Sequence, residues 1–304
     1  MGLKRALYDL IYQKPCRTYA RYFVGDKPGD AIYRLMSSVQ FRRIHKFWPN
    51  FVKPRRFSEK VWSRMLNDRN PLLTVVNDKL AVRDYVAARV GSDYLIPLLW
   101  SGEKPAEIPY DLLPAKFALK ATHGCEYNIL VQDKTKIDRQ RIKRTLEKWL
   151  SENYCEDFLI GIEWGYKNIK PRIIIESFLE ENGKYPVDYK FWCFSGRVES
   201  ISLHFDRFEK HSTKAFNRDF EEGGLNFHLP LFHGEFKLPS NHREMVKVAE
   251  CLAEGFDFMR VDLYNVNNKI YFGELTPYPG GVSARFEPED FDGFLGEKWK
   301  SKEE

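Results

Sequence analysis

The sequence predicts an α+β fold built on antiparallel sheets, and three observations carry that reading. From Lys116 onward, apolar strand runs come in pairs joined by short turns, with single helical segments between the pairs. A chain of 304 residues, 43% hydrophobic and 15% aromatic, can build one large core or two modest ones. The last strand of the pattern, IYFGELTPYPGG (residues 270–281), ends its apolar run on a carboxylate, Glu274, and leaves through Pro277, Pro279 and Gly280–Gly281.

The elements follow in order. Residues 1–50 read as short basic amphipathic helices. KPRRF around Pro54 then precedes a helix with Ser58 as N-cap and Val61, Trp62 and Met65 as its apolar stripe. NDKLAVRDYVAARVG reads as a helix with Asn77 or Asp78 at its start and Gly91 past its end, followed by a strand at 94–99. KFALKAT and NILV form a hairpin around HGCEY. DRQRIKRTLEKWLSE is a helix whose apolar face holds Ile142, Leu146, Trp149 and Leu150. PRIIIESFL is the most β-branched run, and YPVDYKFWCFSGRVESISLHF folds back at Ser195–Gly196. SNHREMVKVAECLAEG is a helix capped by Ser240 and stopped by Gly255, and FMRVDLYNVNNKIYFGEL closes the chain's pattern as a hairpin.

Composition narrows the function classes. No apolar run reaches the ~18 residues of a membrane span, and the N-terminus lacks the apolar core and cleavage site of a signal peptide. The five cysteines (16, 125, 155, 193 and 251) are scattered, never in C-x-x-C spacing, and are expected as small buried or neutral thiols in a reducing cytoplasm. Residues 1–60 hold fourteen Lys/Arg against four acids, a net +10, so the remainder carries −5. This basic, aromatic-rich arm suits either a phosphate-rich partner (membrane headgroups or a pyrophosphate-linked substrate) or plain solvation as a helical extension. It contains no nucleic-acid-binding module.

The chemistry concentrates on three strands. Arg260 and Asp262 lie two residues apart and so project from one face. A three-residue loop at 266–268 would set Glu274 opposite Arg260 and diagonal to Asp262, on that same face. A two-residue loop would set the acids on opposite faces. Two carboxylates with an arginine beside them call for a cation, and Mg²⁺ takes one or two carboxylates plus substrate phosphates. Lys120 and Lys190 sit mid-strand in apolar surroundings, where an ammonium needs a partner. The amides of the turn THGCEYN could cover phosphates, with His123 and Gly124 within it.

LKATHG, IIIESFLEE, DYKFWCFSGRV, MRVDLY and GELTPYPGG, in that order, resemble the motif series of the ATP-grasp superfamily over residues 116–281. NDKLAVRDYV, KPRIIIESFLE and ELTPYPGG look more specifically like its TupA-like, teichuronopeptide-biosynthesis branch. The resemblance implies two α+β subdomains with antiparallel sheets gripping ATP between them, plus the basic helical extension. The divisions are then 1–57 (extension), 58–115 (lead-in), 116–180 (small subdomain) and 181–304 (large subdomain with the metal site). By resemblance Lys120 contacts the ATP phosphates, with His123 and Gly124 in the phosphate loop. Glu176 and the backbone of Ser177, Phe178 and Leu179 hold the adenine, and Asp188 lies near the ribose. Lys190 reaches the phosphates, Asp262 and Glu274 bind Mg²⁺, and Arg260 steadies the transferred phosphoryl group. Thr276 stands where the pattern has a third metal ligand, an asparagine, and Glu126 stands where the loop usually has a small residue.

The implied activity is an ATP- and Mg²⁺-dependent carboxylate–amine ligase that forms an amide through an acylphosphate. Its partners would be an amine donor and an acidic, uronic-acid-containing acceptor of a bacterial surface polysaccharide. The alternatives are a kinase of a sugar or polyol hydroxyl using the same nucleotide site, and a non-catalytic scaffold of glycan assembly held at the membrane by residues 1–60. Residues 204–228 read as an acceptor-binding lid or a surface insertion, and Arg285 as an acceptor contact or a solvated side chain. His204, His228 and His233 are not at metal-ligand spacing.

Overall fold

Strand pairing in the computed structural model builds two antiparallel sheets. The residues described are 31–157, 163–207, 210–223, 230–279 and 290–300, with side chains from Arg34 onward. The first sheet has the order β1 (Leu98–Gly102), β4 (Ile173–Ser177), β2 (Phe117–Ala121), β3 (Asn128–Val131). The second runs β7 (Ser212–Phe216), β6 (Arg197–Phe205), β5 (Asp188–Phe194), β8 (Phe258–Val266), β9 (Lys269–Thr276).

Alternation along each strand assigns its two faces. In the first sheet Phe117, Leu119, Ile173 and Ile175 pack against Ile142 and Leu146 of the helix Arg139–Ser151. The intervening residues, Ala118, Lys120, Ile174 and Glu176, face the other way. In the second sheet Phe191, Cys193, Val261 and Leu263 share a core with Met245, Ala249 and Leu252 of the helix His242–Ala253. The opposite face carries Asp188, Lys190 and Asp262. Its far end, at Trp192, Phe194 and Phe258, is sealed by the helix Phe57–Asn67 and by Leu295 and Trp299. Arg64 pins this seal. Its Nη1 donates to the carbonyls of Phe258 (3.0 Å) and Pro277 (3.1 Å), which ties the lead-in helix to the exit of β9.

The β8–β9 hairpin decides where the acids point. Its loop is two residues, Asn267 and Asn268, both left-handed (φ 52° and 59°), and Val266 pairs with Lys269. Continued unbroken, that register would put Glu274 on the face opposite Asp262. The register shifts by one between Leu263↔Phe272 and Asp262↔Glu274, leaving Gly273 as the extra residue of a β-bulge. Burial on β9 accordingly switches parity, from Ile270 and Phe272 to Leu275. The expected three-residue loop is therefore replaced by a two-residue turn plus a bulge, and Glu274 lies opposite Asp262, with Thr276 opposite Arg260. A Cβ on residue 273 would sit 3.0 Å from the Asp262 carbonyl oxygen, so any side chain there would crowd the neighbouring strand.

Several element boundaries differ from expectation for local reasons. The helix at 57 begins one residue before Ser58, whose N–H and hydroxyl are taken by Asp292 (2.7 and 2.6 Å). Asn70 and Pro71 start an additional short helix, Pro71–Asn77. Asp78 then caps the following turn through Leu80 N and Ala81 N, and the next helix runs Val82–Val90. The strand expected at 94–99 forms at 98–102, because residues 92–94 make a 3₁₀ turn. Asn241, not Ser240, precedes the helix His242–Ala253, and the Ser240 hydroxyl donates to Asn268 (2.9 Å). Residues 1–30 of the basic arm, Cys16, His228, Gly280, Gly281 and Arg285 lie outside the described residues, as do parts of the 204–228 segment.

Substituting Gly273→Val tests the bulge. Crowding the Asp262 carbonyl should cost about 1–3 kcal/mol in denaturant unfolding. A variant as stable as the parent would show that the bulge does not depend on glycine.

Candidate functional site

Between the sheets lies a cavity of about 400 Å³, lined from both sides. At one end Ile96, Ala118, Leu130, Ile174, Phe178 and Phe272 make an apolar slot of the kind that takes a flat ring. Ser177 and Leu179 also line the cavity, although the Ser177 N–H is already donated to the Pro97 carbonyl (3.0 Å).

Glu176 faces this cavity because β4 alternates and Ile173 and Ile175 take the core side. Two cations grip it: Lys120 Nζ at 2.7 Å on one oxygen and Arg83 Nη1 at 2.7 Å on the other. Arg83 is held in turn by the Ile96 carbonyl (2.9 Å). The group of three carries a net positive charge, and Lys120 keeps 23% of its side chain exposed. Lys79 adds a second ammonium, bonded to the Gly124 carbonyl. Burial lowers its pKa, against the opposing pull of Glu274. A phosphate placed between Lys79 and Lys120 would restore what burial removes.

Across the second sheet, register sets Ser202, Lys190, Asp262 and Glu274 in one row. Lys190 Nζ bonds Asp188 Oδ2 (2.7 Å) and Asp262 Oδ2 (2.5 Å). Arg260 reaches Asp262 through Nε (2.6 Å) and Nη2 (2.7 Å), and its Nη2 also meets Glu274 Oε1 (2.7 Å) and Thr276 Oγ1 (3.1 Å). The Thr276 hydroxyl donates to Glu274 Oε1 (3.0 Å). Arg207 joins through Asp188 Oδ2 (3.2 Å). Three acids face three bases, which is how charges this buried are tolerated. Burial alone would lower the Arg260 pKa, but Asp262 and Glu274 outweigh it and raise the pKa.

The donor set suits a hard cation. Asp262 and Glu274 offer carboxylate oxygens from adjacent strands on one face, and Glu274 keeps 51% of its side chain exposed. Among the described residues, Asp188 Oδ1 is buried without a hydrogen-bond partner. An ion that takes one or two carboxylates and completes its shell with phosphate oxygens matches these residues.

Asp188, Asp262 and Glu274 line the cavity together with Lys120, Glu176, Ser177, Phe178 and Leu179. Lys190, Arg260 and Thr276 stand behind the two metal-ligand candidates. His123 does not face the cavity. It is buried, bonds the Trp149 carbonyl through Nε2 (2.8 Å) and packs edge-on to Tyr127. The contribution of Gly124 is its carbonyl, turned to Lys79. Sequence reasoning passed over Lys79, Arg83 and Arg207. The first two lie within NDKLAVRDYV, one turn apart on a segment that reads as an ordinary amphipathic helix. Arg207 sits in a polar stretch with no periodicity.

A buried acid near the site makes stability depend on pH. Burial, helped by Glu274, lifts the Glu163 pKa to about 8 from an ordinary 4.5. Folded Glu163 therefore holds its proton where the unfolded chain has lost it, so its contribution is complete below pH 4.5 and lost as pH rises toward 8. Glu163→Gln should flatten the decline across that window, by on the order of 4 kcal/mol between its ends, in denaturant melts at several pH values. Identical pH profiles would contradict a buried neutral acid. In the first sheet, Glu176→Gln should destabilise by about 3 kcal/mol in the same assay, because Lys120 and Arg83 lose their shared counter-charge. No loss would mean that water compensates both cations.

Among solved structures, ATP-grasp ligase PsnB complexed with its minimal precursor is 10% identical, with a TM-score of 0.42 over 77% of this chain and 61% of that one. D-alanine–D-alanine ligase from Bacillus anthracis is 15% identical, with a TM-score of 0.43 over 74% and 64%. D-cycloserine synthetase DcsG is 15% identical, with a TM-score of 0.42 over 76% and 72%. The chain thus spans less than two thirds of the length of the first two. No curated protein matches the sequence. The family model for TupA-like ATP-grasp proteins matches residues 59–300, and the chain belongs to that family.

Proposed function

We propose that the protein is an ATP- and Mg²⁺-dependent carboxylate–amine ligase, joining an amine donor such as an amino acid or peptide to an acidic, uronic-acid-containing glycan or its precursor. What carries the reading is the cavity itself, lined by apolar side chains with Lys120 on the first sheet and Lys79 on the turn beside it, and by the Asp262–Glu274 pair on the second sheet, with Arg260 bonded to both acids. Membership of the TupA-like ATP-grasp family supports it.

Phosphoryl transfer asks a protein for positioning and charge neutralisation rather than covalent help. The apolar slot would orient the base, with Lys79 and Lys120 holding phosphate oxygens. Asp262 and Glu274 would hold Mg²⁺, which when bound supplies positive charge between phosphate groups. Lys190 holds the Asp262 carboxylate in place through Oδ2. Arg260, held beside the two acids by Asp262 and Glu274, would supply positive charge to the transferred phosphoryl group. In the overall reaction the acceptor carboxylate displaces ADP from the γ-phosphorus. The amine then attacks the acyl carbon, inorganic phosphate leaves, and the amine's proton passes to solvent.

A screen of ADP release with uronic acids and amino acids, supplied singly and together, tests the reading. Release that requires both an acid and an amine is the expected result. Release with one hydroxyl acceptor and no amine would instead make the protein a kinase, and no release with any combination would favour a non-catalytic scaffold.

A further inference from the structure

Beyond the nucleotide site, residues 31–57 contain seven Lys/Arg and no Asp or Glu. The fold places them so that charge and apolar side chains emerge together. In FWPNFV (residues 47–52), Phe47 packs edge-on to Phe41 and Phe51 stacks on Trp62, both turned inward. The residue after each, Trp48 and Val52, points out, at 57% and 81% exposure. Asn50 fixes the turn by accepting from Val52 N and Lys53 N. Glu59, the nearest acid in sequence, is buried and spends both oxygens on the backbone N–H groups of Asn50, Arg55 and Arg56. The acid that organises the loop is thereby kept off its surface.

Arg42, Lys46, Lys53 and Arg55, within a few residues of Trp48 in sequence, are all exposed, and none is in a salt bridge among the described residues. Arg42 lies over the Trp48 ring at 4.8 Å, and it shares a face of the helix Ala31–His45 with Leu35 (63% exposed). A cluster of cations without counter-ions would ordinarily be costly to hold together, unless an anionic surface supplies the opposite charge. An indole projecting from such a cluster has the apolar body and polar edge suited to a membrane–water interface.

We propose that the loop 46–55 is a membrane-docking surface that seats the protein on an anionic bilayer, with Trp48 and Val52 entering the headgroup region and Arg42, Lys46, Lys53 and Arg55 contacting lipid phosphates. None of its residues lines the cavity. It would hold the enzyme at the leaflet that presents a lipid-linked or membrane-proximal acceptor.

Flotation of the full chain with vesicles tests the proposal. The protein should float with equal parts phosphatidylcholine and phosphatidylglycerol, and not with phosphatidylcholine alone. High salt should weaken the binding. Removing cations through the double change Lys46→Ala/Lys53→Ala should lower partitioning about fivefold per lysine. Trp48→Ala should lower it about tenfold, and Trp48→Phe should recover much of that. Circular dichroism melts establish that these surface variants remain folded. The proposal is overturned if the protein fails to float, if it floats equally with both vesicles, or if the variants partition like the parent. It is equally overturned if soluble heparin is bound as tightly as the anionic vesicles with no dependence on Trp48, which would mark a general polyanion site.

Discussion

A two-residue turn at Asn267–Asn268 and a single extra residue at Gly273 together determine which way Glu274 points. Side chains in a strand alternate with period two, so one residue of slip moves every later side chain to the other face. The turn alone would bury Glu274 or turn it from Asp262. The bulge cancels that parity, returns Leu275 to the core, and brings Glu274 and Thr276 beside Asp262 and Arg260. The ion network on the second sheet inherits its geometry from this one irregularity, and so does the cavity wall built on it. Arg64 holds the strand's exit from the far side through the Pro277 carbonyl, so the acids are fixed at both ends of the segment that carries them.

The network stores its function in how it is balanced. Arg260 spans Asp262 and Glu274, while Lys190 spans Asp188 and Asp262. Each buried charge has a partner, which avoids the cost of an isolated one. Asp262 and Glu274 would hold a divalent cation, which would supply the positive charge that Lys190 and Arg260 supply here. Across the cavity, Glu176 keeps Lys120 and Arg83 apart from these acids and leaves that wall net positive. Nucleotide phosphates would meet cations on one wall and cation-binding carboxylates on the other.

Much of this was legible before any coordinates. The hairpins, the helix Arg139–Ser151 and the strands carrying Lys120, Lys190, Asp262 and Glu274 follow from hydrophobic periodicity and turn residues, because their apolar faces are unbroken. The bulge escaped because its signal is small: apolar residues at 270, 272 and then 275, with a glycine between. Ser58 and Ser240 read as caps because their chemistry suits that role, but tertiary partners claim their hydroxyls, Asp292 for one and Asn268 for the other. His123 looked like a phosphate contact from its place beside a glycine. It sits in the turn after β2 and points inward to the Trp149 carbonyl, near the end of the helix Arg139–Ser151. Lys79 and Arg83 were hidden for the opposite reason, since they reach the site from a helical segment distant in sequence and only tertiary packing reveals them.

The central claim is that the Asp262–Glu274 face binds a metal-bound nucleotide. Calorimetric titration of the full chain with ATP, with and without Mg²⁺, beside Asp262→Ala and Glu274→Ala, tests it most directly. Binding that strengthens with Mg²⁺ in the parent, and loses that Mg²⁺ dependence in both variants while they remain folded, is the predicted result. Equal Mg²⁺–ATP binding by the parent and both variants would contradict the account.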